Sequence, residues 1–408
     1  MSAEIIAALI KIVILVGGLL TAAAYLVLLE RWIAAWVQDR RGPNRVGIPL
    51  TKIRMFGLGQ PLADGLKFIF KEEFTPGHVD KALYRLAPIV ILTAAIAIFA
   101  AIPFGSVIPP IAGFTEPIPL LVVPDLDVGI VYAFALSSIA VYGVILGGWA
   151  SNNKYSFLGA LRSSAQLISY EIPLGLGLLG VVLLAGTLKL DKIIEEQAST
   201  GVWNVFLQPL GFFVFAVAAT AEAARLPFDL PEAEQELIGG YHTEYSGMKL
   251  LLFLIAEFLH MITASFLIVI LFLGGWHFWG LTGDINDIKQ GSWLIAILRI
   301  VVLAVKIMAV ILAFMIVRWS WPRFRFDQLM SLAWKVMVPL GLVNLVVTAI
   351  LVEYRKSSAG GESFLIPIII SWGVTLAAWV VAGLFAPLAS DNSPRRAAAP
   401  FDAESELT

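Results

Sequence analysis

Long apolar runs dominate this chain. A bilayer core about 30 Å thick takes about 20 apolar residues as helix at 1.5 Å per residue. Nine stretches meet that measure: residues 5–29, 84–104, 129–150, 166–187, 205–224, 248–274, 293–317, 332–352 and 364–386. The pattern predicts an all-α polytopic membrane protein, with residues 1–388 forming one integral domain and 389–408 a flexible polar tail. The first run is too long for a signal-peptide core and lacks a small-residue cleavage pattern before Glu30 and Arg31, so it reads as a retained span. Between the first two runs, Leu62, Leu66, Ile69 and Phe70 recur at helical spacing opposite Asp64, Lys67 and Lys71. An amphipathic helix lying in the membrane interface is expected there. Residues 105–128 carry five prolines and neither Lys nor Arg, which predicts irregular chain packed on the outer surface. No internal repeat is visible, and this weakens a transporter built from inverted halves.

Charge adds a direction to this pattern. Lys and Arg number 20 in the loops and tail on one side of the spans and 5 on the other. The positive-inside rule then places the N-terminus outside and the C-terminus in the cytoplasm, as in a multi-pass protein of a cell membrane. Only 14% of the 408 residues are charged, 59% are hydrophobic, and the mean hydropathy is +0.86. A net charge of −2 gives no electrostatic case for binding nucleic acid. The chain has no cysteine. Disulfides, thiol catalysis and Cys-ligated zinc or iron–sulfur clusters are therefore excluded within it, and any electrons involved are carried by another subunit.

Against this economy of charge, residues 219–245 concentrate Glu222, Asp229, Glu232, Glu234, Glu236 and Glu244 at a bilayer boundary. Carboxylates there are costly unless they move protons, bind cations or hold a partner. Glu171 and Glu257 add one more in each neighbouring span, toward the same inner side. Glu257 lies about 13 Å into its span, where an ionised carboxylate is expensive to keep. One such Glu has two readings, a proton carrier or a neutral group hydrogen-bonded between helices. Three converging on an acidic loop favour a proton path. Glu232, Glu234 and Glu236 are spaced by two, so one helix face cannot hold them all, and Pro227 and Pro231 argue for bent backbone lining a cavity or meeting a partner.

Other charged and polar positions leave alternatives open. Lys306 sits mid-span and wants a carboxylate partner or a depressed pKa, with structural pairing and proton movement both open, whereas Arg299, nearer the outer side, is expected to snorkel. Two inner elements, Glu30–Arg45 and Arg318–Gln328, mix Arg with aromatic and Gly-Pro-Asn segments. Either a polar-headed greasy ligand or a docked soluble subunit would suit them. Glu257 and His260 have a di-iron spacing, but it occurs once where such sites need it twice, so a metal site is rejected. Gly143 and Gly147 allow close helix approach.

Five motifs occur in a fixed order: Glu30-Arg31 with Gln38, Arg40 and Gly42-Pro43-Asn44; Gln60-Pro61-Leu62-Ala63-Asp64 with Lys67; Ser169-Tyr170-Glu171; Ala221-Glu222 through Arg225, Pro227-Phe228-Asp229-Leu230 and Glu236-Leu237; and Pro322 through Met330. Together, from about Leu29 to about Leu351, they resemble the H-subunit family of bacterial NADH–quinone oxidoreductase, whose mitochondrial counterpart is complex I subunit 1. The resemblance implies a membrane subunit that forms a quinone chamber with peripheral-arm subunits, which carry the flavin and the iron–sulfur clusters. On that implication Arg31, Arg40, Asp64, Phe228 and Arg323 line or support the chamber. Glu171, Glu222 and Glu257 link it to proton-pumping membrane subunits, with Asp229, Glu232, Glu234 and Glu236 at the entrance. Quinone is the implied substrate, and no cofactor is expected on this chain. The ninth apolar run and the tail extend beyond the family's core eight spans. Two rivals are the homologous anchor protein of a membrane-bound hydrogenase or ferredoxin-linked complex, and a stand-alone proton or cation transporter.

Overall fold

The structure is a computed structural model and describes residues 3–47, 56–109, 118–123, 126–229, 238–282, 292–357 and 364–385. In chain order the helices are α1 (Ala3–Val37), α2 (Gln60–Phe70), α3 (Lys81–Ala97), α4 (Gly129–Ala150), α5 (Lys154–Ala185), α6 (Leu190–Thr200), α7 (Asn204–Leu207), α8 (Pro209–Glu222), α9 (Gly247–Phe272), α10 (Trp293–Ser320), α11 (Phe326–Ser357) and α12 (Leu365–Phe385). Among the described residues, eight helices are long and apolar enough to cross a bilayer. The all-α polytopic expectation holds.

The run at 205–224 behaves differently from its neighbours. It breaks at Gln208–Pro209, leaving the 14-residue α8, about 21 Å long against a core of about 30 Å. Proline at the first helical position costs no hydrogen bond, so the break is also a clean start. The four-residue α7 precedes the break, and α6 packs against α9. Gln197 of α6 is buried and ties this corner together, donating to the Ile270 carbonyl at 2.9 Å and accepting from the amides of Asn204 and Gly274, each at 3.1 Å.

Helix α9 is the axis of the bundle, with 78% of its apolar window buried against 17% for α12. It packs on α1, α3, α8 and α10. Small residues let the helices around it close up. A Cβ on Gly143 would lie 2.9 Å from Ile91 Cβ of α3, and one on Gly148 would lie 2.2 Å from Ala160 Cβ of α5. Side-chain caps fix helix starts: the Asp80 carboxylate accepts from the amides of Ala82 and Leu83, and Asn153 accepts from the Tyr155 amide.

Helix α2 shows why an amphipathic segment rests at an interface. Leu62, Leu66, Ile69 and Phe70 are left exposed by the protein, so their apolar face is free to enter lipid. The segment 105–128 contains a short antiparallel pair, Val107 with Pro119 and Ile108 with Ile118, where irregular chain was expected. Arg299 does not snorkel. It is 1% exposed, with Nε and Nη2 donating to the Thr282 carbonyl, Nη1 to Ser106 Oγ, and its plane 4.7 Å from the Trp276 ring centroid. Three hydrogen bonds and a stacked indole replace the water it gives up.

Candidate functional site

At the end of the bundle that the charge count assigns to the cytoplasm, α1, α2, α9 and the end of α10 enclose a cavity of about 720 Å³. Its floor is apolar, with Leu20, Ala23, Val27, Leu251 and Phe258, and its rim carries Glu30, Arg31, Arg40, Asp64, Arg225 and Arg318. Such a combination of size, greasy wall and few convergent polar groups suits an elongated apolar ligand with a polar head. Arg31 Nη1 pairs with Asp64 Oδ2 at 2.8 Å, and Gln60 Nε2 holds the other carboxylate oxygen at 3.1 Å, so α1 and α2 are pinned together at the mouth. Arg40 is held by the turn that ends α1, where its amide donates to the Ala35 carbonyl and its Nε to Gln38 Oε1 at 2.7 Å.

The inner wall is a charge cluster. Glu30 of α1 accepts from Arg318 of α10 in a short contact and from Arg225 Nη1 at 3.4 Å. Arg225 also lies 4.2 Å over the Phe258 ring of α9. All three charged side chains are at most 20% exposed. Phe228 does not line the cavity. It stacks between Tyr170 and Phe324, each centroid at 5.6 Å, and acts as a wedge behind the wall. Beside it, Arg323 pairs with buried Asp229 at 3.4 Å, and Gln166 Nε2 clamps both ends of the 221–228 turn through the carbonyls of Ala221 and Phe228.

Glu257 connects this cavity to a second one. That space, about 40 Å³, is lined by Glu171, Glu222, Glu257, Tyr241, Ser137 and His260 among others. Since one water needs roughly 10–15 Å³ on this measure, it has room for about two or three. Ser137 and Ser138, adjacent on α4, donate in short contacts to Glu222 and Glu171 respectively. Tyr241 Oη donates to Glu257 Oε1 at 3.0 Å, and His242 Nε2 lies 3.7 Å from the same oxygen. Hydroxyls that rotate, carboxylates and room for water are the parts a proton relay requires. The turn carrying Tyr241 is anchored below by Tyr245, whose ring stacks on Tyr84 at 4.1 Å and whose hydroxyl donates to the Tyr84 carbonyl. Burial, reinforced by neighbouring Tyr84, pushes the Tyr245 phenol up, which keeps that donor protonated.

Of the residues singled out from the sequence, Arg31, Arg40 and Asp64 meet at the large cavity, and Glu171, Glu222 and Glu257 meet at the small one. Asp229, Arg323 and Phe228 stand behind the wall. Glu232, Glu234 and Glu236 lie outside the described residues. Lys306 joins neither group. Its ammonium donates to the carbonyls of Leu273, Gly275 and His277 at 2.6, 3.0 and 2.6 Å and sits 4.3 Å over Trp203, capping the far end of α9 with backbone oxygens in place of a carboxylate partner. Sequence reasoning missed Ser137, Ser138, Tyr241, Gln166 and the linking roles of Glu30 and Arg225. Two adjacent hydroxyls in the middle of an apolar run were the signal available for the serines.

Similarity to known proteins bears directly on this arrangement. The family model described as NADH dehydrogenase matches residues 10–349. The chain belongs to the NADH dehydrogenase family. It is 48% identical over 345 residues to the H 1 subunit of NADH-quinone oxidoreductase from Geobacter metallireducens, covering 85% of this chain and 96% of that protein. The H 1 subunit of the same enzyme from Cytophaga hutchinsonii is 46% identical over 329 residues, 81% of this chain and 92% of its own. The H 2 subunit from Koribacter versatilis is 43% identical over 361 residues, 86% and 98% respectively. The matched region takes in both cavities, so this NADH dehydrogenase family member carries its candidate site within the shared part, while α12 lies beyond it. It is a multi-pass membrane protein.

Proposed function

We propose that this chain is the membrane subunit of a proton-pumping NADH–quinone oxidoreductase that receives quinone in the large cavity and answers its reduction through Glu257, Glu222 and Glu171. The observation that carries the reading is that Glu257 lines both the 720 Å³ cavity and the 40 Å³ one. A quinone head at the Arg-rich rim takes up electrons delivered by a partner that bears the iron–sulfur clusters, and it draws protons as it does so. Arg31, Arg40 and Arg225 stabilise negative charge developing on the head. Glu257, hydrogen-bonded by Tyr241, changes protonation in response, and Glu222 and Glu171, which line the same small cavity, pass the change on. The peripheral quinone-site subunit covers the polar rim, other membrane subunits receive the proton signal, and lipid meets α2.

The test is Glu257→Gln in the assembled complex in sealed membrane vesicles, measuring NADH–quinone turnover and protons moved per electron. Proton movement should fall by roughly tenfold or more while assembly persists. Full proton stoichiometry in that variant sinks the reading. A pull-down of the tagged chain decides the assembly: an NADH-oxidising flavin subunit is expected, and a nickel subunit would turn the assignment to a hydrogenase anchor.

A further inference from the structure

We propose that the imidazole of His260 is a proton carrier, joining the Glu257–Glu222 cavity to a second, smaller space deeper in the bundle. The inference rests on the carboxylate reading above and extends it by one group and one compartment.

His260 follows Glu257 by three residues on α9, about 4.5 Å further along and on the same face. It borders the 40 Å³ cavity and also a separate cavity of about 20 Å³, where its neighbours include Phe134, Leu174, Leu267 and Thr263. Four residues are common to both spaces: Ser137, Glu222, Ala223 and His260. Two of these ionise, so Glu222 and His260 form the chemical part of the partition. The His260 ring sits inside a membrane helix and faces both spaces. A histidine kept only for packing would make better use of a leucine or phenylalanine. A cavity of about 20 Å³ has room for about one water beside the ring, and the larger space has room for more.

Chemistry then follows from the two nitrogens. The ring accepts a proton on one nitrogen from the Glu257 or Glu222 carboxylic acid, directly or through water, leaving that carboxylate ionised. It passes through the imidazolium and releases the proton from its other nitrogen into the second cavity, becoming neutral again in the opposite tautomer. Rotation about the side-chain bonds restores the first tautomer. No electron moves and no bond to carbon is made or broken. The Thr263 hydroxyl, which donates to the Leu259 carbonyl at 3.0 Å, offers its oxygen as the next acceptor.

His260→Asn keeps a polar, hydrogen-bonding side chain that cannot carry a proton at these pH values, and His260→Phe keeps the ring without nitrogen. Each is assayed in the assembled complex in sealed vesicles beside Glu257→Gln, with subunit content of the isolated complex checked for every variant. Both His260 variants should move protons at least tenfold more slowly per complex while the complex stays assembled. If both retain wild-type protons per electron, the inference is overturned, and if Glu257→Gln loses them in the same experiment the carboxylate reading survives alone. If His260→Asn pumps normally and only His260→Phe fails, the position needs polarity and not protonation, which also overturns it. Should either variant fail to assemble, the other decides by the same criteria. If neither assembles, His260 is a packing residue and the inference falls.

Discussion

Glu30→Ala removes a carboxylate held between two guanidinium groups that come from different parts of the chain. Arg318 belongs to α10 and Arg225 to the turn after α8, so Glu30 is where α1 is tied to both. Stripping one partner from a buried pair costs roughly 3–5 kcal/mol, because the other charge stays behind unpaired. Here the side chains are 13, 11 and 20% exposed, and Nε and Nη2 of Arg225 and Nε of Arg318 have no other partner among the described residues. Limited solvent relieves part of the penalty, which leaves about 2–4 kcal/mol. That corresponds to about 30- to 1000-fold in the equilibrium between a closed and a loosened cavity wall. In the assembled complex, Glu30→Ala should raise the apparent KM for quinone by at least tenfold and lower the thermal midpoint of the complex. Glu30→Gln, which keeps one acceptor, should fall between. Unchanged KM and unchanged midpoint in Glu30→Ala would show that the cluster does not hold the wall.

Further substitutions test separate links. Tyr241→Phe removes the 3.0 Å donor to Glu257; a hydrogen bond to a charged group is worth about 1.5–3 kcal/mol, and quinone turnover should drop about tenfold or more while NADH oxidation by an artificial acceptor is unaffected. Gly159→Ala places a Cβ 2.6 Å from the Gly240 backbone; pushing away the turn that carries Tyr241 should cost about 1–3 kcal/mol and lower the amount of assembled complex seen on a native gel. Lys306→Met strips a cation from three carbonyls at the end of α9; the thermal midpoint of the complex should fall, with protons per electron unchanged, and a lost stoichiometry would return Lys306 to the proton path.

The division between what was legible in the sequence and what was not follows the energies involved. Spans are legible because the bilayer leaves backbone polar groups no partner except each other, which forces about 20 apolar residues in a row. Helix α8 broke that rule, and Pro209 inside the run was the sign that its length would not be reached. Buried carboxylates are legible because charge inside a membrane is too expensive to be incidental, and Glu171, Glu222 and Glu257 do converge. Serine hydroxyls are cheap to bury when a backbone carbonyl is near, so Ser137 and Ser138 carry almost no signal until their contacts are seen. The sequence leaves Lys306 open between a carboxylate partner and a role without one, and lets Arg299 snorkel; in the structure both cations meet backbone carbonyls. Which carbonyls come within reach depends on how α9 ends and where the 273–282 turn runs, and no local pattern encodes that.

Glu257 stands in the common wall of two compartments, and this has a pharmacological consequence. On the proposed proton path, an inhibitor that hydrogen-bonds its carboxyl from the larger side would occupy the same group that carries protons on the smaller side. Blockade of electron flow and blockade of pumping would then share a single dose–response curve, whereas a compound seated only at the Arg31–Asp64 mouth would compete with quinone and leave the carboxyl free to titrate.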